Sequence, residues 1–155
     1  MSIRMVKIMI KNDTVSNTLK IQNNQKTYAS VRNYIIAAQS QVYKTINSAM
    51  VTAYWNIGKQ IYEACGNNKR AEYGKQLMAF LEEKLTEEFG KGFSIRNLQM
   101  MRQFYLTFPN ANALRSELSW THYRTLMRVS DETIRNFYLE ETIKTGWSSR
   151  QLSVK

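Results

Sequence analysis

Arg96, Gln99 and Gln103 are the residues of this sequence best suited to a defined chemistry, because steps of three and four place all of them on one face of a helix. A guanidinium matches the paired acceptors on the major-groove edge of guanine. A carboxamide matches the acceptor and donor of adenine, so such a face implies a reader of base edges. Lys91 just upstream, and Arg124 and Arg128 four positions apart further on, supply point charges for phosphates. A hydrated polar surface would have the same composition. Catalytic groups are sparse. Glu82-Glu83-Lys84 has the Glu-x-Lys spacing of a metal-dependent nuclease, but it lies in a helical pattern with no strand-borne acid to help hold Mg²⁺. His122, the one histidine, sits between Trp120 and Tyr123, where a packed, hydrogen-bonded side chain is expected. Cys65 is the single cysteine, which leaves no disulfide and no thiolate zinc cluster. Neither a metal nor a cofactor is expected, and no catalytic residue is assigned.

The run Phe89-Gly90-Lys91-Gly92-Phe93-Ser94 must position the first of these groups. Gly90 closes the preceding helix by adopting positive φ, and Ser94 caps the next one by accepting a backbone N–H. The apolar rhythm Ile95, Leu98, Met101, Tyr105, Phe108 then defines a buried arc. At 100° per residue that arc leaves Arg96, Gln99, Gln103 and Thr107 outward, while Arg102 falls on its flank and is assigned to an internal hydrogen bond or ion pair. Two helices joined this tightly cross steeply, as in a helix-turn-helix. An ordinary helical hairpin reads the same way.

The helix before the turn spans Ala71 to Phe89, with Leu77, Phe80, Leu81, Leu85 and Phe89 on one side and Glu82, Glu83, Glu87 and Glu88 outward. Earlier, Val42, Ile46, Ala49, Ala53, Ile57 and Ile61 draw an apolar stripe along a helix from about Tyr28 to Tyr62. Gly58 inside it costs about 1 kcal/mol against alanine, which marks a close helix contact. Gly66 to Lys69 reads as a loop. Downstream, Pro109 ends the Ser94 helix, Ser119 and Ser130 cap two more, Gly146 stops the second, and Ser148 or Ser149 caps a last one. Residues 1–27 form a basic N-terminal arm, flexible or with one short strand near Ile3 to Ile10. Residues 28–155 form the helical domain. The fold class is therefore all-α, a multi-helix bundle containing a helix-turn-helix-like unit.

At 155 residues with 43% hydrophobic content, the chain supports a real core. Its net charge of +10 suggests a polyanionic partner, either nucleic acid or an anionic membrane surface. Residues 1–70 hold ten Lys/Arg against Asp13 and Glu63, so most of the surplus lies outside the turn segment. No apolar run approaches the roughly 20 residues of a membrane span, and Arg4, Lys7 and Lys11 interrupt any signal-peptide core; a cytoplasmic location without membrane contact is expected.

Several segments together resemble a known family. Tyr54-Trp55-Asn56-Ile57-Gly58, Phe89 to Ser94, Asn97-Leu98 with Met101-Arg102-Gln103-Phe104-Tyr105, Leu118-Ser119-Trp120-Thr121-His122-Tyr123 and Gly146-Trp147-Ser148-Ser149-Arg150-Gln151-Leu152 resemble the N-terminal domain of the YhcG-type nucleases. The likeness runs from about Tyr28 to Leu152. It implies a DNA-binding helical domain that members join to a C-terminal PD-(D/E)XK nuclease domain, and that second half is missing from this sequence. The tail Ser153-Val154-Lys155 then reads as a truncation. Two functions follow as expectations: a non-catalytic DNA-binding module that targets a nuclease domain, or an oligomerisation and docking domain using Trp55, Tyr62, Trp120 and Trp147 against a second copy or the nuclease half.

Overall fold

Nothing in the first 57 residues breaks a helix, since the first glycine is Gly58 and the single proline is Pro109. In the computed structural model, which describes residues 2–65 and 71–155, α1 accordingly runs Ile3–Cys65. It is followed by α2 (Ala71–Phe89), α3 (Ile95–Thr107), a 3-10 turn (Ala111–Ala113), α4 (Trp120–Leu126), α5 (Glu132–Thr145) and α6 (Ser149–Ser153). The class is all-α, and no strand occurs among the described residues. The short strand expected near Ile3 to Ile10 is replaced by the opening turns of α1. Ile3, Val6 and Ile10 fit the helical repeat, and Thr14 and Thr18 donate their hydroxyls to the carbonyls of Ile10 and Thr14. The loop expected at Gly66 to Lys69 lies outside the described residues.

The chain divides into two compact units, Met1–Tyr43 and Lys44–Lys155. Every described residue of the first is exposed. The second holds two apolar clusters. Val51, Trp55, Phe104, Phe108, Leu118, Tyr123, Leu126, Leu139 and Leu152 form one, and Ile61, Cys65, Met78, Leu98 and Met101 form the other. Aromatic edges organise the larger cluster: Phe104 lies 4.8 Å from Tyr123, 5.2 Å from Trp120 and 5.8 Å from Phe108 between ring centroids. Within it, Trp55 Nε1 donates to the Phe108 carbonyl at 2.7 Å, and the Arg115 amide donates to the Tyr123 hydroxyl at 2.7 Å.

The face that α1 buries differs from the stripe read off the sequence. Val51, Trp55, Gly58, Ile61 and Cys65 are inside, whereas Val42, Ile46, Ala49 and Ala53 are exposed. A row advancing mostly by fours drifts around the helix, and the large Trp55 ring decides which side faces inward. Gly58 is the point of closest approach: a Cβ there would stand 1.9 Å from the Met101 carbonyl oxygen. Among the described side chains of α2, Met78 is buried, and Phe80 and Phe89 stay in solvent.

Helix ends follow local chemistry. Ser94, Ser119 and Ser148 each accept the amide three residues on, as expected. Gly90 and Gly146 take φ of 80° and 71°, the left-handed region in which a side chain would be strained. The cap of α5 is Asp131 rather than Ser130, its carboxylate accepting the Ile134 amide at 2.9 Å.

Gly58→Ala forces a Cβ into a main-chain carbonyl and is expected to destabilise the domain by about 3 kcal/mol or more, whereas Gly74→Ala meets Cys65 Sγ at an ordinary 3.4 Å and gains up to about 1 kcal/mol of helix propensity; paired denaturant melts check both. Burial raises the pKa of the Tyr123 phenol above its ordinary 10.0, against the lowering influence of the Arg115 amide and guanidinium. The folded protein therefore holds this proton more tightly than the unfolded chain does. Its contribution to stability is complete below pH 10 and is lost as pH climbs through the raised value. Tyr123→Phe is expected to flatten that alkaline fall in urea midpoints measured from pH 9 upward, at the cost of leaving the Arg115 amide unpaired.

Candidate nucleic-acid interface

Because α3 puts Leu98, Met101 and Phe104 almost wholly out of water, its other side must face solvent. Arg96, Gln99 and Gln103 are all exposed there, and Thr107 continues the row half-buried. Gln103 donates its amide to the Thr107 hydroxyl at 3.3 Å, which orients the carboxamide along the helix. No ion pair is made by Arg96 among the described residues, so its guanidinium is free to meet a ligand. Arg102, one residue before Gln103, is different. Its guanidinium lies 5.8 Å from the Tyr62 ring centroid and its Nε is buried without a hydrogen-bond partner. The internal hydrogen bond or ion pair expected for it is thus a cation–π contact.

The turn carries Lys91, exposed, on the rim of an open depression of about 560 Å³ shared with Glu82, Glu83, Thr86, Gly92 and Ser94. Glu82 does not point outward as its spacing implies. Half-buried, it reaches across from α2 and its Oε2 accepts the Ile95 amide at 2.6 Å. A carboxylate already satisfies one donor at the start of α3 and matches the positive end of the helix dipole. Asn97 adds a second clamp, its side-chain amide donating to the Gly92 carbonyl at 3.1 Å. Glu82 therefore locks the terminus of α3, and Glu83, Glu87 and Glu88 remain exposed beside it.

Arg124 and Arg128 are not one turn apart on a single helix. Arg124 is half-buried on α4, which ends at Leu126; Arg128 lies beyond it in a tighter turn, its amide donating to the Thr125 carbonyl at 3.2 Å. Arg128 and Lys155 share a shallow depression of about 180 Å³ with Tyr138 and Leu152. The structure brings Arg96, Gln99 and Gln103 together on α3 and Lys91 into the turn before it, and sets Arg124 and Arg128 on different local structures.

His122 completes the cap of α4. The Ser119 amide can only donate and the Trp147 carbonyl can only accept, so Nδ1 accepts from Ser119 at 3.1 Å and Nε2–H donates to Trp147 at 2.8 Å. Both nitrogens are used structurally. Of the aromatic residues expected for docking, Trp55 is buried in the core, while the half-buried Tyr62, Trp120 and Trp147 pack respectively on Arg102, on Tyr54 and Phe104, and on Lys155.

These elements match a known domain. Residues 30–155 correspond to the DUF1016 N-terminal domain. The chain belongs to that family. It is also similar to YhcG, a candidate nuclease of Escherichia coli (strain K12), with 29% identity over 161 aligned residues covering 83% of this chain and 43% of YhcG. The chain thus spans less than half the length of that relative, corresponding to its N-terminal half. No solved structure matches it. Among the described residues, no helix is long and apolar enough to cross a membrane.

Glu82→Ala is expected to cost about 1 kcal/mol by orphaning the Ile95 amide, while Glu83→Ala, one position on and exposed, stays within about 0.5 kcal/mol of the parent in thermal melts.

Proposed function

We propose that the domain is a non-catalytic nucleic-acid-binding module that targets a nuclease domain to duplex DNA. The observation that carries this reading is the solvent-facing row Arg96, Gln99, Gln103 on α3, held rigid by the burial of Leu98, Met101 and Phe104 directly behind it. Rigid placement matters because a bidentate contact to a base edge tolerates little error. The similarity to a candidate nuclease over its N-terminal half supports the reading, as does the basic surplus of the chain. Lys91 would meet a phosphate next to the α3 start. The neighbouring carboxylates disfavour deep entry of that helix end, so contact along the length of α3 fits the charges better than insertion tip first.

A second reading, docking onto the nuclease half, draws on apolar side chains other than the tryptophans. Ile134 and Phe137 stand one turn apart on α5 and are 49% and 58% exposed.

Fluorescence anisotropy of a labelled duplex at rising salt distinguishes the two. Binding through phosphates gives a log–log slope of roughly −0.9 per phosphate neutralised, and Lys91→Ala is expected to shallow it by about one unit. Arg96→Ala is expected to weaken binding by about 1–3 kcal/mol with an unchanged melting temperature, while Arg102→Ala lowers the melting temperature by removing the Tyr62 contact. Absence of binding at about 50 mM salt, in the range where such contacts are strongest, overturns the proposal.

A further inference from the structure

The first unit presents an unpartnered helical face with a coiled-coil repeat. Ile21, Tyr28, Ile35 and Val42 recur every seven residues, and Asn24, Val31 and Ala38 stand three after the first three of them. These are the two rows of a seam in which apolar residues recur at 3.5-residue intervals. The five large side chains in it are between 50% and 63% exposed. Just ahead of the seam, Asn12 to Thr18 reads Asn, Asp, Thr, Val, Ser, Asn, Thr, all weak helix formers, and no described residue of this unit is buried within the single chain, so this end of α1 has neither strong propensity nor packing of its own.

We propose that residues 21–42 form a parallel, in-register coiled coil with a second copy of this chain. Three observations select that occupant. In such a pair each seam residue meets its own equivalent, so Asn24, in the second row, meets a second Asn24, and the two carboxamides can satisfy one another only when the copies are in register. Charges flanking the seam are also compatible with self-pairing despite the basic surplus. The residue just before each first-row position faces one five positions on in the partner copy, which sets Lys20 against Gln25, Thr27 against Arg32 and Tyr34 against Gln39, with no like charges opposed. Finally, the area suffices. The seam is about 33 Å long at 1.5 Å per residue. Its large side chains remove roughly 300–600 Å² per chain at about 60–120 Å² each. With the flanking stems this approaches the about 800 Å² per partner of a stable pair. A nucleic acid would leave these aliphatic groups in water.

Sedimentation of the full chain over a hundredfold concentration range is expected to show a monomer–dimer equilibrium, with the far-UV helical signal rising as the dimer forms. Ile35→Asp places charge in the seam and is expected to raise the dimer dissociation constant about a hundredfold or more. Ile36→Asp, adjacent and exposed but off the seam, is expected to leave it within about threefold. Asn24→Leu is expected to tighten association. A chain monomeric at every concentration overturns the proposal, as does a dimer that survives Ile35→Asp or one lost equally with Ile36→Asp. Duplex binding abolished by Ile35→Asp in a strictly monomeric chain also overturns it and assigns the face to nucleic acid.

Discussion

Main chain meets main chain where Gly58 of α1 lies against the Met101 carbonyl of α3, and the second unit depends on that approach. With no side chain between them, α3 sinks until Leu98, Met101 and Phe104 are almost free of water. Each such burial contributes about 1.5–3 kcal/mol. One helix thereby feeds both apolar clusters, Phe104 in the larger and Leu98 and Met101 in the smaller. Its rotation about its own axis is fixed as a result. Which polar residues stay outside is then a matter of helical geometry, because the residues at 96, 99 and 103 have no inward alternative.

Electrostatics refine this frame. The start of α3 is an anion-favouring position, but the chain fills it with its own Glu82 and lines the approach with further carboxylates from α2. Lys91 sits instead in the turn, Arg96 on α3, Arg124 on α4 and Arg128 beyond it. Arg135 shows how a cation is used purely for construction: its guanidinium donates to the Val129 carbonyl at 2.8 Å and lies 5.6 Å from the Phe108 ring centroid. The basic character of the domain is therefore divided between groups that hold it together and groups left in solvent.

Local chemistry is legible in the sequence. The bounds of α2, the serine caps of α3, α4 and α6, and the left-handed glycines at 90 and 146 all follow from chemistry within four residues of each position. Effects that act across the chain are not. Asn-rich composition in the first 27 residues suggested an irregular arm because polar residues hid the helical repeat, although no breaker was present. The inward face of α1 is ambiguous in the sequence because alanines at 49 and 53 fit an apolar row as well as Val51 and Trp55 do. Glu82 acts on a residue 13 positions away, and Arg128 left α4 when that helix tightened past Leu126. Neither effect has a periodic signature.

The His122 bridge has a consequence for trimming the domain. Its imidazole ties the beginning of α4 to the Trp147 carbonyl, just before α6 places Leu152 in the larger cluster. A shortened version ending at Gly146 would remove the acceptor from a half-buried N–H and open the wall next to Leu126. The segment that follows α5 is therefore a keystone for the bundle rather than a dispensable tail.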